Sequence, residues 1–536
     1  MDINKLEDIL IDLGVRKLAS FINENILEQL VEVGELINAP LVASIILTEG
    51  GISCLRNSKI REAIYDSFQN FNYKEFGFPD KNSISFQWGN NNKTKNYLQI
   101  FGFNNDFLND SDKNIEQGKA SIFRPLYPYQ NHIRRQIFEF LSTQDRNKVM
   151  VHMPTGAGKT RTALEASSDF MRTIEEENFC VVWLAHSEEL CEQATSSFIE
   201  IWEKLGNRDV EIVRLWGGRK IKGLSDKNPS FIVASFDTAY SLTVSSSDEK
   251  FDFFSEIRLR NKLLIIDEAH QSIAPTYEKA IRFLSNSSTN IVGLTATPGR
   301  HHINQDAEET SKLSNFYDNN KINIVDDEGG LLDNPIDFLT KKKVLSDVEF
   351  LAIDNLDSEI TLTEKEKIYM SNHLDIPYSV LDKLGKDSAR TQKIVTQIIY
   401  LINEEGLPTI VFAPSKDSAI VISTLLKLHN IKSEAVTGDT PTSVRRESIS
   451  SFKKGIIDVL VNYGVLTTGF DAPNIKAVVI ARPTTSVVLY SQMIGRGLRG
   501  RLMGGEDICK VINVRDNLIN MPNNDQAFLF FENNWN

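Results

Sequence analysis

Two kinds of apolar pattern run along the chain, and one gives way to the other near Pro125. Up to about residue 70, apolar positions recur at helical spacing: Leu6, Ile9, Leu10 and Leu13, then Leu18, Phe21, Ile22, Ile26, Leu27 and Leu30. Recurrence at i, i+3 and i+4 predicts amphipathic helices. Gly50 and Gly51 interrupt the pattern, and another helix is predicted around Ile60 to Phe68. From Asn70 to Asn114 asparagine and aromatic residues dominate. Ile84–Trp88 and Tyr97–Phe101 alternate there in the manner of short strands between polar turns. Residues 1–118 are therefore expected to form a mainly helical, α+β accessory domain.

After Pro125 the pattern becomes a helix, Ile133 to Leu141, followed by short continuous apolar runs: Val149–Met153, Cys180–Ala185, Ile212–Leu215, Phe231–Ala234, Leu263–Ile266 and Ile291–Leu294. Such runs, alternating with amphipathic helices, mean parallel strands buried on both faces. Residues 301 to about 345 are polar and read as the end of this unit and a connection. Helical segments from Glu364 to Asn403 lead to a second set of strands: Thr409–Phe412, Ser433–Val436, Val459–Val461, Ala477–Ile480 and Cys509–Asn513. The helices between them are Lys416–Leu428 and Ser443–Lys453. The expectation is an α/β protein with two tandem parallel-sheet domains, at residues 119–340 and 341–536. Ligands in such sheets sit at the carboxyl ends of the strands.

Candidate chemistry falls at those ends. Val149–Met153 runs into Pro154-Thr155-Gly156-Ala157-Gly158-Lys159-Thr160, and a helix follows. Strand, glycine turn and helix N-terminus make a phosphate cradle of backbone N–H groups. Lys159 supplies charge for the β- and γ-phosphates and Thr160 a hydroxyl for Mg²⁺. The general pattern has glycine where Met153 stands. A second apolar strand, Leu263–Ile266, ends in Asp267-Glu268-Ala269-His270. Asp267 is suited to Mg²⁺, and Glu268 to orienting and deprotonating a water that attacks the γ-phosphate.

These two motifs, with Leu294-Thr295-Ala296-Thr297-Pro298 and Gln492-Met493-Ile494-Gly495-Arg496-Gly497-Leu498-Arg499, stand in the order seen in superfamily 2 helicases. The chain resembles their DEAH-box group, near the RadD-like bacterial helicases and the motor subunits of type I and III restriction enzymes. That family tolerates a residue other than glycine at the position of Met153. The resemblance covers roughly Arg124 to Arg515 and leaves residues 1–118 aside. It implies two RecA-like domains that hydrolyse ATP with Mg²⁺ while moving on nucleic acid.

Residue by residue, Tyr129 and Gln130 resemble the segment that reads adenine. Gln130 would bond the base edge, and Tyr127 or Tyr129 would stack on it. His270, Thr295, Thr297 and Gln492 resemble the groups that couple nucleotide state to nucleic-acid grip. Thr467, Thr468, Gly469 and Asp471 resemble the second-domain segment that faces both ATP and the nucleic-acid backbone. Arg496 and Arg499, three apart and read as one face of a helix, would reach across the cleft as arginine fingers. Candidate phosphate-gripping positions are His186, Gln193, Gly217, Gly218, Ser235, Thr437, Gly438, Thr467 and Thr468. Backbone amides and hydroxyls there would bind without reading sequence.

Bulk properties alter this picture in two places. With 59 basic and 72 acidic residues the net charge is −13, so a polyanion must be gripped by a local lining and not by the global field. The four cysteines, Cys54, Cys180, Cys191 and Cys509, form no CxxC pair, which argues against zinc and for a reducing compartment. The acidic N-terminus does not resemble a signal peptide, and Leu41–Leu47 is too short to span a bilayer, so a cytoplasmic protein is expected. DNA is favoured over RNA by the restriction-like resemblance. An RNA helicase and a nucleotide-gated DNA-binding switch are the alternatives. No nuclease constellation is visible, so a nuclease on another chain is the expected partner, met through the N-terminal region or the aromatic tail Phe528–Trp535. Bacterial DNA repair and anti-phage defence are the settings this implies.

Overall fold

The computed structural model describes residues 3–68, 72–89, 91–101, 125–143, 147–217, 223–243, 248–299, 308–353, 362–372, 375–466 and 472–516. Gly218, Thr467, Thr468, Gly469, Asp471, the segment 102–124 and the aromatic tail lie outside them.

The first sheet contains β1 (Lys148–His152), β2 (Cys180–Ala185), β3 (Glu211–Leu215), β4 (Ser230–Ser235), β5 (Asn261–Asp267), β6 (Asn290–Thr295) and β7 (Lys321–Ile322). Its order is β3-β4-β2-β5-β6-β1-β7, and every pairing is parallel. All of β2 and β4 is buried, as expected of strands covered on both faces.

The second sheet contains β8 (Asp347–Ile353), β9 (Thr409–Phe412), β10 (Ser433–Val436), β11 (Val459–Asn462), β12 (Ala477–Ile480) and β13 (Ile508–Val514). Its order is β10-β11-β9-β12-β13-β8, again all parallel. The strand β8 is not marked by the apolar pattern. It is an edge strand with Asp347, Glu349 and Phe350 exposed, and β13 alone gives it its partner.

Two expectations for the N-terminal region are corrected. Tyr97–Phe101 is not a strand; it is the last turn and C-cap of the helix Asn92–Ile100, whose N-terminus is capped by the Asn91 side chain on the Thr94 N–H. Ile84–Trp88 is not paired either. The buried Arg61 guanidinium donates to the carbonyls of Ile84 (3.0 Å) and Phe86 (2.8 Å), which removes acceptors that a strand would offer a neighbour. Residues 3–101 are helical, with no strand among the described residues.

These helices share one hydrophobic cluster with the second sheet: Leu10, Ile26, Leu30 and Ile45 belong to it together with Val411, Ile420, Leu426 and Val459. Polar links reinforce the junction. Asn23 donates to Asp417 (3.2 Å), Lys427 to Thr48 (2.7 Å) and Gln392 to the Val33 carbonyl (3.3 Å). The helix Ala39–Gly50 also touches β10, the edge strand. No described helix is long and apolar enough to cross a membrane.

Candidate functional site

The glycine turn leaves β1 at its carboxyl end, and the helix Lys159–Thr173 follows it. Gly156 and Gly158 take φ of 86° and 83°, the left-handed region that favours glycine. A Cβ on Gly158 would stand 2.3 Å from Gln130 Nε2 and would push that amide aside. Gln130 donates to the Ala157 carbonyl (3.0 Å) and accepts from the Tyr127 N–H (3.0 Å). Tyr129 also donates to Ala157, at 2.9 Å. Its ring is buried, which rules it out as a stacking platform and makes it a brace for the turn. Tyr127 is the more accessible of the two and donates across the cleft to the Leu502 carbonyl at 2.9 Å.

Asp267 ends β5 and Glu268 follows it, two strands from β1 with β6 between them. Glu268 adopts φ 54°, uncommon for a residue with a side chain, and such backbone clusters at functional sites. Burial, then the neighbouring Glu268, pushes the Asp267 carboxyl up to about 7, and Lys159 opposes the shift. Asp267 is buried, Glu268 beside it is half-buried, and adjacent carboxyls of this kind fit a divalent cation. Thr160 and Asp267 are the residues that would hold Mg²⁺, which would supply positive charge beside the phosphates. Burial lowers the Lys159 ammonium; Glu268 and Asp267 oppose this, and Arg496 and Arg499 add to it. All five groups therefore share one electrostatic site. Lys159 Nζ lies 3.4 Å from the Pro154 carbonyl.

The arginines converge in another way than expected. The helix Val487–Ile494 stops before either of them, because Gly495, Gly497 and Gly500 interrupt it. Arg496 lies in a turn, and Arg499 forms an antiparallel bridge with Leu345 from the connecting segment. Ser346 Oγ donates to the Arg499 carbonyl at 2.7 Å and fixes that strand of chain. The two domains meet closely here. A Cβ on Gly495 would stand 2.6 Å from Thr155 Cβ, and one on Gly156 would lie 3.8 Å from Arg499 Cγ.

The coupling positions form a connected set. His270 Nδ1 lies 3.4 Å from Glu268 Oε2 and 3.3 Å from Thr295 Oγ1. Thr295 Oγ1 donates to the Thr297 carbonyl (2.9 Å) and accepts from its N–H (3.0 Å). Gln492 is buried on its helix and is not part of this set of bonds.

The phosphate-gripping candidates separate from the nucleotide groups across each sheet. His186, Ser235 and Gly217 follow or end β2, β4 and β3, at one side of the first sheet. Thr437 and Gly438 follow β10, at the matching side of the second. His186 is exposed and its Nδ1 lies 2.7 Å from the Tyr277 hydroxyl. Ser235 accepts from the Thr238 N–H (3.2 Å) and so starts the next helix. Gln193 is half-buried on the helix Glu188–Leu205.

Two residues here carry no sequence motif. Arg445 donates to Glu189 at 2.8 Å, linking the second domain to the first. It also reaches the carbonyls of Thr437, Gly438 and Thr440, at 3.4, 3.5 and 3.3 Å. Their significance depends on a contact 256 positions apart in sequence, which no local spacing reveals.

Two parallel sheets, one bearing the phosphate turn and acids and the other the arginines, define a tandem RecA-like nucleotide-binding protein. Residues 124–300 match the family described as type III restriction enzyme, res subunit, and residues 391–501 match the helicase conserved C-terminal domain. The chain is thus similar to the superfamily 2 helicases related to the motors of restriction enzymes. It is 27% identical over 378 residues to IRC3 of Saccharomyces cerevisiae, named as an ATP-dependent helicase, covering 69% of this chain and 48% of that protein. It is also 27% identical over 410 residues to irc3 of Schizosaccharomyces pombe, named as a mitochondrial ATP-dependent helicase, covering 74% and 59%. The chain thus spans about half the length of these curated relatives. Among solved structures, the type ISP restriction-modification enzyme LlaBIII bound to DNA shares the fold, with TM-score 0.50 and 15% identity over 78% of this chain and 30% of that one.

Proposed function

We propose that the protein is an ATP-dependent DNA helicase or translocase, hydrolysing ATP between its two sheets to move on nucleic acid. The observation that carries this reading is the close approach of Gly495 and Arg499 to the glycine turn that bears Lys159, and the charges of Asp267, Glu268, Arg496 and Arg499 acting on that lysine support it. Phosphates rest on the glycine turn with Lys159. Glu268 takes the proton of the attacking water. Arg496 and Arg499 stabilise charge on the phosphoryl group being transferred. Bound Mg²⁺ would neutralise phosphate charge beside Thr160 and Asp267. Tyr127 stacks on the base, and Gln130, held by the turn, reads its edge.

Grip on the strand changes with nucleotide through Glu268, His270, Thr295 and Thr297, which are linked to one another at the ends of β5 and β6. His186, Gln193, Gly217, Ser235, Thr437 and Gly438 hold phosphates. Gly218, Thr467, Thr468, Gly469 and Asp471 are assigned by their motifs alone. DNA is supported by the restriction-enzyme family matched at residues 124–300. That family also supports a nuclease partner on another chain and a role in DNA repair or anti-phage defence.

The test is the ATPase rate with single-stranded DNA, duplex DNA and RNA, for wild type and Glu268→Gln. DNA should raise the wild-type rate and leave the variant inactive. Stimulation by RNA alone would move the assignment to an RNA helicase. Stimulation by neither would favour the nucleotide-gated switch.

A further inference from the structure

The N-terminal helices seat against the second sheet at its β10 edge, and the junction leaves a groove of about 300 Å³, within the range of small-ligand clefts. One wall carries Arg56 and Asn57 from the N-terminal helices. The other carries Lys416, Thr437, Asp439 and Thr440 from the second domain, with Phe21 adding an apolar surface.

Three observations give the groove a direction. First, Lys416 and Thr437 follow β9 and β10, so the groove opens at the carboxyl ends of the strands, where ligands of parallel sheets sit. Second, it is continuous with Thr437, which with Gly438 is a phosphate-gripping candidate. Third, its charged side chains are Arg56 and Lys416 against Asp439 alone, a positive balance on a chain of net charge −13. Lys416 donates to Asp439 at 2.5 Å, which holds the acid at the rim, where its side chain is 73% exposed. The Arg56 side chain is exposed, and the helix Ser58–Ser67 begins beside it, its positive end at the same wall.

We propose that this groove holds the sugar-phosphate backbone of a single nucleic-acid strand next to Thr437 and Gly438. The N-terminal helices then form part of the strand's track and move with the second sheet as one body. This rests on the motor reading above and adds a contact outside the two sheets. Phosphate meets Arg56 and Lys416, and Phe21 offers a face to sugar or base.

The experiment measures binding of labelled single strands and duplex as a function of salt, in the full chain, for wild type, Arg56→Glu and Asp439→Asn. Arg56→Glu should weaken single-strand binding about tenfold and lower the salt slope by about one, the signature of one lost phosphate contact. Asp439→Asn should tighten binding roughly two- to fivefold. ATPase without nucleic acid and the melting temperature should stay at wild-type values in both. If both variants bind single strands like wild type while wild-type ATPase is stimulated normally, the groove is no part of the track and the motor reading stands. A loss confined to duplex would also overturn the proposal. If no strand binds to or stimulates wild type, the motor reading falls and takes this inference with it.

Discussion

Among the described residues the two domains are joined at two junctions that are built differently. At the nucleotide side the contact is close packing: Gly495 lies against Thr155, and Leu345 and Arg499 against Gly156. At the side of the phosphate-gripping candidates the described residues are linked by the ion pair Arg445–Glu189, with side chains 16% and 24% exposed. Close packing has few alternative arrangements, whereas a partly wet ion pair exchanges partners at small cost. The difference suits a motor in which ATP decides whether the cleft is shut and a polyanion competes for the far end.

Breaking the nucleotide side at its charge should have the largest effect. Lys159→Ala should abolish measurable hydrolysis and weaken nucleotide binding, read by steady-state rates and fluorescent-nucleotide titration. Breaking it sterically should be milder. Gly495→Val places a Cβ 2.6 Å from Thr155 Cβ, and overpacking of about 1–3 kcal/mol would lower kcat roughly 10- to 100-fold. Nucleotide affinity at the first sheet should change only a few-fold. The far junction should respond less. A double-mutant cycle on Arg445→Ala and Glu189→Ala should give a coupling of about 1 kcal/mol in thermal unfolding, shrinking at high salt. A coupling that ignores salt would contradict the contrast between the junctions.

The smallest effect is a gain. The folded-state pKa of Asp267, about 7, lies above its ordinary 3.8, so the folded state holds the proton more tightly. Stability is therefore lost as pH rises from about 4 through about 7. Without nucleotide or divalent cation, Asp267→Asn should raise stability at pH 8 by on the order of 1 kcal/mol, and not near pH 4. Melting curves at the two pH values check this, and the variant should be inactive.

Much of this arrangement is legible in the chain. Buried strands such as Cys180–Ala185 and Thr409–Phe412 fall where continuous β-branched runs place them, because burial on both faces leaves that mark. The glycine turn and the acid pair are legible because their chemistry needs adjacent residues. Strand β8 is not, since an edge strand needs no apolar alternation. Tyr97 and Phe101 alternate like a strand, yet local capping by Asn91 makes their segment a helix. Arg496 and Arg499 have helical spacing, but their glycines end the helix and Leu345, from far upstream, sets their course. Arg445–Glu189 and the seat of the N-terminal helices leave no local trace, because complementarity between distant surfaces is a tertiary property.

The claim that the second sheet completes a site the first sheet merely loads is tested most directly by Arg499→Ala. Nucleotide affinity and single-turnover hydrolysis would be measured on the same preparation. Affinity should stay within a few-fold of wild type while the hydrolysis rate falls by about 10³-fold or more. A wild-type hydrolysis rate, or a rate that falls only in proportion to lost affinity, would contradict the claim.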